Sequence, residues 1–339
     1  MSFKRFDPED FVVSSDSISA TLWSGGVTTL ANFYTSSIQQ LTPSGKYYMN
    51  VFQTASTDTN AAIQFAIAYG NKYGSGSALY NSAVNGASPT RTTYGQYQNL
   101  ILGDENTDFT FATITSSQFY AISIDRTRYK EKLFLGSLSL TLSGSLGSLV
   151  LTDNSLVATS IQFNEAGRVF QIVSGSQGTV NTSKNSNGYS VNSGSYGLFL
   201  PDIGTILLNP LALQDVAASG GIGLITSQSS NSDGLNNSRL YKSISGSSAF
   251  LINSEETITS DFIFIRSRNS EFNYSENPSF ISGSTGEVLY DLFINSPQTY
   301  VTTIGLYNDN NELLAVAKLS RPLVKDFTKE SLTRVKLDF

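Results

Sequence analysis

Gln298-Thr299-Tyr300-Val301-Thr302-Thr303-Ile304-Gly305-Leu306-Tyr307 runs into Asn308-Asp309-Asn310-Asn311, and Glu312-Leu313-Leu314-Ala315-Val316-Ala317-Lys318-Leu319-Ser320 follows. Two runs rich in β-formers flank four Asn/Asp residues. Such residues tolerate positive φ and bond their own backbone, so the stretch predicts a β-hairpin. Downstream, Thr333-Arg334-Val335-Lys336-Leu337-Asp338-Phe339 alternates without a break. Val335, Leu337 and Phe339 share one face of a strand; Arg334, Lys336 and Asp338 share the other. A final Phe on the core-facing side predicts a C-terminus built into the structure.

Working outward, Ile63, Phe65, Ile67 and Tyr69 alternate with Gln64, Ala66 and Ala68, the pattern of a half-buried strand that breaks at Gly70 to Gly76. Short helices are expected at Ala78 to Val84 and at Arg91 to Leu102, where Tyr94, Tyr97 and Ile101 recur at near-helical spacing. Phe109 to Phe111 and Phe119 to Ile124 return to strand character. Between about 141 and 245, apolar runs (138–142, 148–151, 169–173, 203–208) are separated by Gly/Ser/Asn clusters. Frequent turn signals around short strands predict a compact sandwich or barrel-like module. The fold class expected is mainly β, multi-domain, with antiparallel β-sandwich or barrel-like modules and a few short helices. Boundaries are placed at 1–140 for an N-terminal β domain with a helical insertion, 141–245 for an inserted β module, and 246–339 for a C-terminal segment packing back on the first. No fixed repeat emerges, which disfavours a solenoid or propeller.

Composition narrows the chemistry. Charged residues make up 14% of the 339, against about 25% in ordinary soluble domains. Hydrophobics at 40%, with 17 Tyr and 21 Phe, supply enough apolar area to order the chain. The net charge of −6 argues against nucleic acid as a partner, because displacing counterions from phosphates needs a basic face. Neither cysteine nor histidine occurs. That removes disulfides, thiolate sites, a Cys nucleophile, the commonest general base and the Ser-His-Asp arrangement. No apolar run approaches the ~20 residues that cross a bilayer, so no membrane is expected. Met1 to Asp10 is charged and lacks an apolar signal core, so synthesis in the cytoplasm is expected.

Several loops are weighed against plainer readings. Asn231-Ser232-Asp233-Gly234 has the middle of a calcium loop, but Ser229 and Leu240 stand at its two end ligand positions. Asn308 to Glu312 offers oxygens that the hairpin turn wants for itself. Gly45-Lys46 lacks the glycine and hydroxyl of a phosphate loop, and Gly194-Ser195-Tyr196-Gly197 lacks the spacing of a nucleophile elbow. Asp104 with Glu105, and Glu255 with Glu256, are adjacent, so each couple points to opposite faces of a strand and makes no glycosidase cleft alone. No cofactor, metal or enzymatic activity is expected. Six basic residues (Lys318, Arg321, Lys325, Lys329, Arg334, Lys336) read as a solvated, lysine-guarded strand edge rather than a docking patch.

The least periodic segment is Arg266-Ser267-Arg268-Asn269-Ser270-Glu271-Phe272-Asn273-Tyr274-Ser275-Glu276-Asn277-Pro278-Ser279-Phe280. It reads either as a packed loop whose aromatics plug the core edge or as a docking loop, aromatics amid polar residues being typical of interfaces. The candidate interface is Arg266, Arg268, Phe272, Tyr274 and Phe280, with Val335, Leu337 and Phe339. This segment and the hairpin and strand after it resemble virion structural proteins of large contractile-tailed bacteriophages, those of marine cyanobacteria above all. So do Gln64 to Gly70, Gly74 to Ser77, Tyr94 to Tyr97 and Asp125 to Leu133. The resemblance covers about half the chain and implies a structural role in the tail, near the baseplate. Its implied partners are other tail and baseplate proteins, with a homo-oligomer allowed. The alternative is a carbohydrate- or receptor-binding module of the tail fibre, in which exposed tyrosines and Trp23 stack host glycan.

Overall fold

Alternating apolar residues punctuated by Gly, Ser and Asn favour strands over helices. The computed structural model is 46% strand and 16% helix, with a curled antiparallel sheet, so the mainly β expectation holds. It describes residues 4–35, 41–42, 45–46, 48–74, 89–181, 195–215, 217, 220–227, 233–247 and 249–338. The principal elements are β1 (Phe11–Thr21), β2 (Tyr48–Phe52), β3 (Ile63–Asn71), α1 (Thr90–Leu102), β4 (Gln118–Ile124) and β5 (Ser139–Gly144). They continue with β6 (Gly147–Asp153), β7 (Gly167–Ser176), β8 (Gly197–Leu200), β9 (Thr205–Leu208) and α2 (Asn236–Ser245). Last come β10 (Asn253–Ser267), β11 (Gln298–Tyr307), β12 (Leu313–Asp326) and β13 (Ser331–Asp338). Two compact units result, Ile18–Glu256 and Met1–Ser17 with Thr257–Phe339.

In the larger unit one antiparallel sheet runs β5-β6-β7-β8-β9-β4-β3-β2, extended by Phe250–Leu251 and Thr29–Leu30 at one end and Tyr34–Thr35 at the other. Leu30 and Tyr34 are so close in sequence that the chain between them spans at most ~14 Å. The two ends of the sheet are therefore drawn together and the sheet curls toward a barrel. Inside lies the main core, including Trp23, Phe65, Tyr120, Phe199 and Phe250, with Leu240 and Ile244 of α2 packed into it. The Trp23 and Phe250 rings are 4.9 Å apart.

The segment expected as an inserted module shares this sheet. Strands β5 to β9 are continuous with β2 to β4, so the stretch is part of the same sheet rather than a separate module. Strand β3 is covered on both faces instead of one. Phe65, Ile67 and Tyr69 point into the main core, while Ala68 packs in a second cluster with Tyr94 and Ile101 of α1 and Phe119 of β4. The strand runs through Gly70 and ends at Asn71, within the expected break. A Cβ at Gly70 would meet the Phe119 ring at 2.6 Å, so glycine is what lets the ring cross the strand. The helix expected at Arg91 to Leu102 forms, ending at Gly103 with φ 65°. The one expected at Ala78 to Val84 lies outside the described residues. Among the described residues no helix is long and apolar enough to cross a membrane.

In the smaller unit the predicted hairpin forms as β11 and β12. Its turn is held by Asn308, whose Oδ1 accepts from the backbone N–H groups of Asn310 and Glu312 at 3.0 and 2.8 Å, and Asn311 takes φ 60°. Strand β13 pairs antiparallel with β10, setting Val335 opposite Ile263 and Arg334 opposite Phe264. The alternation holds: Val335 is buried and Leu337 half-buried, while Arg334, Lys336 and Asp338 are exposed. Phe339 lies outside the described residues. Ile263, Val335 and Leu306 form the centre of a small core, flanked by Ile304, Ala315 and Ala317 of the hairpin.

Candidate interface in the smaller unit

The aromatic loop between β10 and β11 is tied at its start by polar bonds. Arg266, the penultimate residue of β10, places Nε 3.0 Å from Oδ1 of the buried Asp10. Lys4 Nζ donates to the Arg266 carbonyl and, at 3.0 Å, to Glu271 Oε2. The Arg268 N–H also donates to Glu271 Oε2, at 2.9 Å. That backbone hydrogen bond and the Lys4 ammonium hold the Glu271 carboxyl below the usual carboxylate range.

Of the six residues expected on a solvated basic edge, Lys318, Arg321, Lys329, Arg334 and Lys336 are exposed. The one that is buried is Lys325, the floor of the loop. Its side chain is 1% exposed. Nζ donates to Asn269 O, Asn273 Oδ1 and Asp326 O at 3.0, 3.0 and 2.9 Å. Three oxygens match the three donors of an ammonium, which is how the cation tolerates burial. Across the hairpin, Thr299 pairs with Lys325 and its Oγ1 donates to the Phe272 carbonyl. Asn273 Nδ2 closes the loop on Asn269 O at 2.7 Å. Alternation along β12 could not have shown the burial of Lys325, because the register shifts between Val301 and Thr303 and the inward parity of Ala315 and Ala317 does not carry through to Lys325.

The two readings of the loop divide by residue. Phe272 is half-buried with φ 56°. Phe280 stacks on Phe293 with centroids 5.0 Å apart and planes 11° from parallel. Both follow the packed-loop reading. Tyr274, 62% exposed, points outward, and Arg266 and Arg268 are solvent-facing. Tyr274 overlooks an open cleft of 410 Å³ whose walls include Lys4, Glu271, Asn273 and Pro297. Its chemistry is stacking and hydrogen bonding. Val335 and Leu337 serve the local core instead of this cleft.

Other candidate groups are occupied by structure. Trp23, offered as a sugar platform, is 2% exposed in the core of the larger unit; its ring was needed to fill the curled sheet. Ser195 is buried and its Oγ donates to backbone carbonyls of Ile172 and Gly197. Asp104 caps its own turn, accepting from Asn106 and Thr107. Glu255 lies 3.7 Å from Lys132 and Glu256 pairs with Lys130, each on its own side of β10. Gly45-Lys46 is a short strand pairing with Leu41–Thr42, and Asn231 and Ser232 lie outside the described residues. Among the described residues no group of three or more acidic side chains is arranged to hold a metal ion.

No protein-family profile, no curated protein and no solved structure matches the chain.

Proposed function

We propose that this chain is a structural subunit of a contractile-tailed phage virion, working in the tail near the baseplate by burying surface against other virion proteins. The observation that carries the reading is the thin core of the smaller unit. Among its described residues only Ile263, Leu306 and Val335 are buried apolar side chains, whereas a free-standing domain of this size buries well over half of its chain's surface. Large apolar groups stand outside instead: Val13, Tyr300, Leu314, Val316, Phe327 and Leu332 are each more than half exposed. A fold that leaves its apolar groups on strand faces is completed by neighbours. The sequence resemblance supplies the setting. Synthesis in the host cytoplasm followed by incorporation into the tail is part of the proposal.

Mass spectrometry of purified virions separated into heads, tails and baseplates tests it. The chain is expected in the baseplate-containing tail fraction; its absence from virions, or its presence in heads alone, overturns the reading. A second reading, a glycan-binding module, is favoured by Tyr274 standing exposed beside Glu271 and Asn273 over the cleft. It requires host-cell binding that is lost in Tyr274→Ala.

A further inference from the structure

Within the smaller unit β10 lies between β1 and β13, and among the described strands neither outer strand has a second partner there. This small sheet therefore has two open edges, each a row of backbone donors and acceptors able to take another strand.

The edges differ in chemistry. Natural edge strands are protected by lysine, proline, bulges or inward charges, and β13 carries Arg334 and Lys336 outward. Phe11 to Ser17 of β1 carries no cation, proline or glycine. Phe11, Val12 and Val13 are 47%, 48% and 56% exposed, on both faces of the strand. Its one charge is Asp16, which forms no ion pair among the described residues. On β13, Arg334 likewise forms no ion pair among the described residues and lies over the Phe262 ring at 5.3 Å. An unguarded apolar edge with a lone anion and a guarded edge with a lone cation thus bound the same sheet.

We propose that the β1 edge of one molecule takes up the β13 edge of a second copy, head to tail. In the antiparallel register that sets Asp16 opposite Arg334, Ser14 falls opposite Lys336, Val13 opposite Leu337 and Ser15 opposite Val335. Charge meets charge on one face, and Val13 extends the row of Val335 and Leu337 on the other. The parallel register through the same ion pair sets Val13 opposite Ser331 and loses that match. Because the two edges are different surfaces, the contact is heterologous and builds a ring or an open filament rather than a two-fold dimer.

Sedimentation velocity of the purified full chain over a concentration series tests the proposal. Species larger than a dimer are expected to grow with concentration, and Val13→Lys is expected to abolish them by setting a cation against Leu337 in the apolar row of the contact. Asp16→Arg or Arg334→Asp alone should weaken self-association about five- to tenfold, and the two together should restore it. Position 13 is exposed, so these variants are expected to fold, and unchanged far-ultraviolet circular dichroism verifies that. Because the chain has no cysteine, Asp16→Cys combined with Arg334→Cys should give a ladder of multimers on oxidation. A monomer at every concentration overturns the proposal, as does covalent dimer formation by Asp16→Cys alone. The proposal stands apart from the virion reading: a chain that self-associates as described yet is missing from virions would remove only that reading.

Discussion

Lys325 shows how one buried cation organises a loop. Its ammonium meets three neutral oxygens, two of them from Asn269 and Asn273. Lys325→Met keeps the stem but leaves those oxygens short of a donor, at about 1–3 kcal/mol for each that water does not reach. The expected outcome is faster proteolysis between 268 and 280 with the larger unit unchanged; equal protease sensitivity would contradict the anchoring role. In the larger unit, Asp202 accepts from the Arg168 backbone at 2.7 Å and from its guanidinium. Burial pushes this carboxyl up, but the Arg168 hydrogen bonds and charge outweigh it and hold the group below the usual aspartate range. The contribution to stability is therefore complete above the unfolded pKa of about 3.9 and is lost as pH falls through the lower folded value. Asp202→Asn lacks that carboxylate, so its melting temperature should fall less than that of the unmodified chain between about pH 5 and pH 2. Equal slopes would show that another group governs the acid limb.

At the scale of elements, β13 has two faces with two tasks. Its inner residues, Val335 and Leu337, complete the small core around Ile263 and Leu306. Side chains of this size contribute roughly 1.5–3 kcal/mol each when buried. Deletion of Thr333 to Phe339 also removes most of one strand that pairs with β10. The smaller unit should then lose its protection from hydrogen exchange, while β3, β4 and the other strands of the curled sheet keep theirs. Full retention of protection in β11 and β12 would mean that the hairpin holds without β13. The same strand presents Arg334 and Lys336 outward, so a truncated chain is also expected to lose the head-to-tail assembly.

For the whole molecule, the two units differ in how much apolar surface they bury. The larger one encloses a core of more than thirty residues, and the smaller one centres on three. Since a domain is held by only ~5–15 kcal/mol, the smaller unit is expected to unfold first. Calorimetry should resolve two transitions, with loss of exchange protection between 257 and 338 accompanying the lower one; a single transition with equal calorimetric and van't Hoff enthalpies would contradict this. Local spacing determined the hairpin at Asn308 to Asn311, the alternation of β13 and helix α1, because each depends on neighbours a few residues away. Composition excluded mechanisms that need histidine or cysteine. Only the tertiary structure decided that Trp23 is core rather than platform, that β3 is covered on both faces, that Lys325 is buried, and that the 141–245 stretch shares a sheet with the strands before it. Each of those depends on which distant strands lie side by side. A local pattern states which face is apolar but not what covers it, and long-range pairing supplies the cover.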